Sequence, residues 1–358
     1  SLNNLAGLLQ AMGDLKGARP LYERAWRSNR QALHTLLPAL SSRERCAAIQ
    51  GRARQLAYYL AGFSDDPEKT LSAALAWKGA ALRTSAATLR LPQAASPKAR
   101  RLAEDLLDAR RELARLAFSH SAPKEGEPSV AERYDATRRR YEDLERALAK
   151  ELPDLAARAF LAVEPADVRN ALPQDAALLD TLDNNGTLHA WVVRREGDVA
   201  YFNLGKSSDF EPLAARFREA LEKDDEAAWR QAGGALRERL AGPLAAALEG
   251  RRGAPDSASE PPLQLYISPD GPLATVPWGL LPSSADRSPE AHPAEGEASE
   301  GKPEADGFLI ERLPIAYVSG GGAGLVMGTR TSRVGTAEGL PSEASAKEGL
   351  LAVGGVDY

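Results

Sequence analysis

Few side chains in this sequence can do covalent or proton-transfer chemistry. Its 358 residues include one cysteine, Cys46, and four histidines, His34, His120, His189 and His292. The chemistry such residues support is attack of a thiolate on a carbonyl while an imidazole handles the proton. Cys46 stands in a helical stretch ahead of Ala47, Ala48 and Ile49, where a buried, inert thiol is expected. His189 alternates with Trp191 along a strand and is expected to be partly buried there. His120 and His292 fall in Pro-containing polar loops. A single cysteine excludes a disulfide framework and zinc sites built from two or more thiolates. The Gly-x-Ser-x-Gly, His-Glu-x-x-His and Gly-x-x-x-x-Gly-Lys-Ser/Thr patterns are all missing. Ser319-Gly-Gly-Gly-Ala-Gly324, after a strand, invites a phosphate-loop reading, because glycines let backbone amides approach an anion. Leu325 and Met327 stand where the dinucleotide pattern would need its third glycine, and a flexible connection to the next helix is the competing reading.

The elements that would position these groups fall into three regions. Residues 1–63 open with Leu2, Leu5, Ala6, Leu8 and Leu9, then Gly13-Asp14, then Ala18, Leu21, Tyr22 and Ala25. Apolar and small residues recur at helical spacing, and Gly13-Asp14 divides two helices. Ala6, Ala18 and Ala25 permit a close crossing, with Tyr22 the large side chain between them. The pattern resembles a tetratricopeptide repeat. One repeat cannot bury its apolar face alone, so Ser1 is expected to cut into a longer array. Later stretches, 43–63 and 68–89, keep the helical period and read as a divergent continuation. Asn3 and Gln10, seven residues apart on one face, are the expected partner-binding residues of the array's groove, or else solvated polar positions.

Residues 64–165 form a helical connector with an antiparallel hairpin of coiled-coil type: Leu102, Leu106, Ala109, Leu113 and Leu116 face Tyr134, Thr137, Tyr141, Leu144 and Leu148 across a loop at 119–129. Arg138-Arg139-Arg140, beside Glu142, Asp143 and Glu145, reads as a solvated face. From about residue 166 the period changes. Runs at 177–182, 187–193 and 199–204, joined by Asp183-Asn-Asn-Gly186 and Arg195-Glu-Gly-Asp198, predict an antiparallel meander. Leu188, Ala190 and Val192 lie on one face, His189, Trp191 and Val193 on the other. Helices are expected at 209–223 and 226–248, then a strand at 263–267, an α/β or α+β arrangement.

That strand leads into Ser268-Pro-Asp-Gly-Pro-Leu273-Ala-Thr-Val-Pro277-Trp278-Gly-Leu-Leu-Pro282, an irregular buttress anchored by Leu273, Val276, Trp278 and Leu280. This succession resembles the CHAT family, named for caspases and tetratricopeptide repeats. Residues 171–179 resemble the family's entry into its first strand, 309–319 the strand after the buttress, and 350–358 (Leu-Leu-Ala-Val-Gly-Gly-Val-Asp-Tyr) the glycine-ended strand opening its caspase-like core. The resemblance implies a multidomain chain: an all-α N-terminal part followed by an α/β caspase-like CHAT domain over 166–358, incomplete at its C-terminus. It implies a bacterial-type cysteine endopeptidase whose histidine and cysteine come after the strand reached at Tyr358, so these residues alone are expected to be an inactive fragment. A non-enzymatic adaptor on a CHAT platform is the alternative. A protein ligand for the repeats and a protein substrate for the full-length enzyme are expected as partners, with no metal or organic cofactor.

The chain is 43% apolar and 27% charged, an ordinary balance for a folded protein. Residues 283–306 carry seven acids against two bases and lack large apolar side chains, so they are expected to be a disordered acidic insertion, with 251–262 a smaller spacer. That segment accounts for the whole formal charge of −5, and a neutral remainder gives no reason to expect nucleic acid or an acidic membrane as partner. No apolar run reaches bilayer length; 71–89 is interrupted by Lys78 and Arg83. A cytoplasmic location is expected.

Overall fold

The computed structural model describes residues 1–80, 96–119, 128–152, 163–248, 264–282 and 308–326. The expectations for 251–262, 283–306 and 350–358, and for His120 and His292, lie outside them. The chain forms two compact units. One comprises Ser1–Ser64 with Gly79–Ala162; the other comprises Asp65–Lys78 with Val163–Tyr358. The connector expected over 64–165 is therefore divided between the two.

The first unit is helical. Helix α1 (Leu2–Ala11) and α2 (Leu15–Leu36) are separated by Gly13, whose φ of +83° suits a residue without a Cβ. The Asp14 side chain caps α2 by accepting from the Gly17 N–H at 2.8 Å. Ala6, Ala18 and Tyr22 are buried as their spacing requires, and α4 (Ala53–Gly62) closes the layer, where a Cβ on Gly62 would lie 2.5 Å from the Tyr22 ring. Between them, α3 (Ser42–Gln50) starts from a Ser41–Glu44 capping box. The interior residue of α3 is Arg45, whose Nε donates to the Leu37 carbonyl at 3.0 Å. Cys46, one position on and about 100° around the helix, is exposed. This corrects the expectation of a buried thiol. The expected hairpin of α6 (Pro97–Ala117) and α7 (Val130–Glu151) forms, but its core is Ala99, Ala103, Leu106 and Leu148; Ala99 and Ala103 lie outside the expected stripes, Leu102, Tyr141 and Leu144 are only partly buried, and Tyr134 is exposed. Buried Glu145 of α7 accepts from the Ser42 backbone N–H at 2.7 Å and from the Ser42 hydroxyl.

The second unit is a five-stranded mixed sheet covered by helices. Strands β1 (Ala176–Asn184), β2 (Thr187–Arg194) and β3 (Ala200–Lys206) make the expected antiparallel meander. Strands β4 (Gln264–Ser268) and β5 (Ile315–Tyr317) add in parallel to the other side of β1, giving the order β3-β2-β1-β4-β5. One face, with Leu179, Leu188, Ala190, Val192, Leu265 and Ile267, packs in one core with residues of α9 (Glu211–Glu222), α10 (Glu226–Arg239) and α11 (Ala241–Leu248). The helix expected over 226–248 is thus two helices; Pro243, which has no N–H to donate, sits in the first turn of the second.

The opposite face carries Asp180, His189 and Trp191. Helix α5 (Pro67–Trp77) belongs to this unit and not to the repeat region: the Trp191 indole N–H donates to Thr70 Oγ1 at 3.0 Å. Helix α8 (Pro165–Ala171) joins α5 through the pairs Arg169–Glu68 and Ser72–Glu164. After β4 the chain makes two short 3-10 turns, 271–275 and 278–280; Leu273 and Trp278 within them, and Val276 between them, are buried. Leu281, rather than Leu280, completes the anchors. The strand expected over 309–319 begins only at Ile315. Leu309–Arg312 is a helical turn (α12) closed by Glu311 on the Phe308 N–H, and Pro314 precedes the strand. No helix among the described residues is long and apolar enough to cross a membrane.

Candidate functional site

A carboxylate in the middle of an apolar strand needs a partner, because burying it alone is far more costly than any packing gain at the position. Asp180 is that carboxylate, within Ala-Ala-Leu-Leu-Asp-Thr-Leu of β1. Its partner is Lys78, the residue at the end of α5, with Nζ 2.7 Å from Asp180 Oδ1. The two side chains are 10% and 4% exposed, so the pair lies inside the unit and not on its surface. Lys78 also donates to the carbonyls of Thr181 and Ser268, the latter at 2.7 Å, so all three ammonium protons are directed to acceptors.

The other carboxylate oxygen faces the glycine turn after β5. Gly320 and Gly321 have φ of +76° and +73°, and a helical segment starts at 321. The Gly322 N–H donates to Asp180 Oδ2 at 2.8 Å, and the Gly321 N–H to Ser268 Oγ at 3.0 Å. A Cβ on Gly321 would fall 2.6 Å from Asp180 Oδ2, and one on Gly322 2.9 Å from Val168. The glycines thus serve close approach to an anion, as the phosphate-loop reading supposes, but the anion is the protein's own Asp180. A second carboxyl lies nearby. Asp270 Oδ2 accepts from the Asp183 N–H at 3.0 Å, and the Asp270 N–H donates to Thr181 Oγ1 at 2.9 Å. Burial holds the Asp270 carboxyl above the usual range, with Lys78 opposing.

This cluster sits where parallel β4 and β5 end, the edge at which open α/β sheets place ligands. Both oxygens of Asp180 and every proton of Lys78 are engaged by the protein itself, leaving neither free to move a proton for a substrate. Its effect is to clamp α5, β1, β4 and the glycine turn together. Among the described residues no group of three or more His, Cys, Asp and Glu side chains is arranged to hold a metal.

The residues singled out from sequence are distributed differently. Asn3 and Gln10 do share one face of α1, but it is the packed face that also carries Ala6. Asn3 is buried and its amide donates to Gln55 Oε1, while Gln10 Oε1 accepts from the Tyr22 hydroxyl at 2.7 Å. Exposed Cys46 lies in the helical unit and His189 in the sheet unit. His189 is 5% exposed, its Nδ1 2.9 Å from the Tyr201 hydroxyl and its ring stacked on Trp191 and Tyr201 at 6.0 Å. Burial lowers its pKa to about 4. Lys78, read from sequence only as an interruption of an apolar run, and Asp180, read only as part of a strand, are the residues that sequence reasoning missed. The available signal was a charge inside each of two otherwise apolar segments. Comparison with protein-family models, with curated proteins and with solved structures finds no match to this chain.

Proposed function

We propose that residues 1–358 form the partner-binding and scaffold parts of a caspase-like cysteine peptidase of CHAT type, and that by themselves they cleave nothing. The observation that carries this reading is the 268–282 segment. Its Pro-Asp-Gly-Pro-Leu and Val-Pro-Trp motifs, on which the resemblance rests, form an ordered buttress leaving a parallel strand, with Leu273, Val276, Trp278 and Leu281 buried. Further support comes from order along the chain: a helical pair, a helical hairpin, a mixed sheet, the buttress, then a second parallel strand. The resemblance places the attacking thiol and its histidine in sequence following the 350–358 motif.

A non-enzymatic adaptor is the second reading. It is favoured by the engagement of every polar atom of Lys78 and Asp180 at the strand ends. Incubating the purified chain with a library of fluorogenic peptides is expected to give no turnover; hydrolysis abolished by Cys46→Ala would overturn the proposal. Translating the reading frame past residue 358 separates the two readings. A His-Gly after one strand and a cysteine after a later strand support the peptidase, and replacement of both supports the adaptor.

A further inference from the structure

Four of the nine large apolar side chains exposed among the described residues fall within the first fifteen: Leu5, Leu8, Met12 and Leu15, at 49%, 58%, 72% and 43%. They form a local patch and not the single scattered residues that any surface shows. Leu5 and Leu8 are three apart and Met12 is four further on. Met12, the C-cap of α1, keeps helical backbone angles (φ −82°, ψ 0°), so the three make one stripe along the helix. The stripe lies opposite the packed face of Asn3, Ala6 and Gln10, and Leu15 opens α2 beyond the Gly13 turn. Ser1, Asn4 and Ala11, the exposed residues beside the stripe, are uncharged, and no charged side chain occurs before Asp14. A solvent-facing helix side normally carries charge, as α6 does with exposed Arg101, Glu104 and Asp108.

We propose that this stripe docks a second copy of the chain, α1 against α1, antiparallel about a twofold axis near Leu8. Charge favours that occupant. Foreign partners of an apolar seam are selected by the charges that flank it. Here there are none, so the face meets its own copy without like-charge repulsion and without burying an unpaired ion. The order of side chains favours it too. Large ones stand on both sides of Leu8, so an antiparallel twofold sets Leu8 against Leu8 and Leu5 against Met12 of the other copy, with the helix dipoles opposed. Exposed area sets the strength. The four side chains leave the equivalent of about two whole ones uncovered per copy, below the roughly 800 Å² per partner of a standard interface, which suits a reversible dimer and not an obligate one. The proposal goes beyond the reading above and does not rest on it.

Sedimentation velocity of the full chain over about a hundredfold range of concentration tests it. The average mass is expected to climb from that of one chain toward that of two. Leu8→Glu/Met12→Glu is expected to raise the dimer dissociation constant about tenfold or more, and Arg139→Glu on exposed α7 to leave it unchanged. With Cys46 replaced by Ser, Leu8→Cys is expected to cross-link two copies through a disulfide on oxidation with copper phenanthroline, and Arg139→Cys is not. A melting curve checks that each variant is folded, and Leu8→Gln alone serves if the double variant is not. The mass of one chain at every concentration, or a dimer that the Leu8 and Met12 variants leave intact, overturns the proposal. A chain that stays monomeric and is carried down by phosphatidylcholine vesicles through the same residues assigns the stripe to a lipid surface and overturns it as well. A dimer without the Leu8→Cys cross-link overturns the axis at Leu8.

Discussion

Burial, with no charged neighbour contributing, sets the state of His189: its ring is enclosed by Trp191 and Tyr201 and its pKa falls from 6.5 to about 4. The unfolded chain therefore takes up the proton first as pH drops. The folded state keeps its full advantage above about 6.5, loses it progressively below, and has lost it all once pH passes about 4. At about 1.4 kcal/mol per pKa unit the loss is on the order of 3 kcal/mol. Denaturant titrations at a series of pH values should show this slope in the native protein and a flatter one in His189→Gln; buried Asp270, whose carboxyl is raised, acts in the opposite direction in both. The alternation of His189 with Trp191 made its strand face legible from sequence. The depth of its burial was not legible, because it depends on how Tyr201 of the neighbouring strand β3 packs against it. Cys46 shows the same limit. The helix was legible, but the inward turn of Arg45 was not, because the groups that meet it, among them the Leu37 carbonyl and the charge of Glu145 on α7, come from other elements.

The meander and the helical hairpin were legible as elements because their apolar residues repeat at two and at three-to-four residues, and local turn chemistry at Asn185-Gly186 fixes the register. Helix α5 was legible as a helix and not as part of the sheet unit. Its Leu71, Leu75 and Trp77 have the same period whether they pack on another repeat or on a strand. What assigns α5 to the sheet is polar: Thr70 to the Trp191 indole at one end and Lys78 to Asp180 at the other. Removing the lysine leaves Asp180 buried without its cation. Lys78→Met should cost about 3 to 5 kcal/mol in urea denaturation. Combined with Asp180→Asn it should cost less than the sum of the two single changes, with a coupling of about 1 to 3 kcal/mol. Additive costs would show that the ion pair does not hold α5 in place.

The whole molecule is divided by contacts and not by chain order: residues 65–78 belong with the sheet, and 79–162 return to the helical unit. A truncation beginning at Val163 keeps all five strands but loses Lys78 and Thr70. It is expected to unfold without a sharp transition and to bind a hydrophobic dye, and a peptide of residues 65–78 added in trans should sharpen the transition. A cooperative melt of 163–358 alone would contradict this. The same division has a consequence during synthesis. Lys78 and Asp180 are 102 positions apart, and ribosomes add about 5 to 20 residues per second. Helix α5 therefore leaves the ribosome about 5 to 20 s before the strand that receives it. For that interval Leu71, Leu75 and Trp77 present an apolar surface that chaperones can hold, while the intervening helices are still being made.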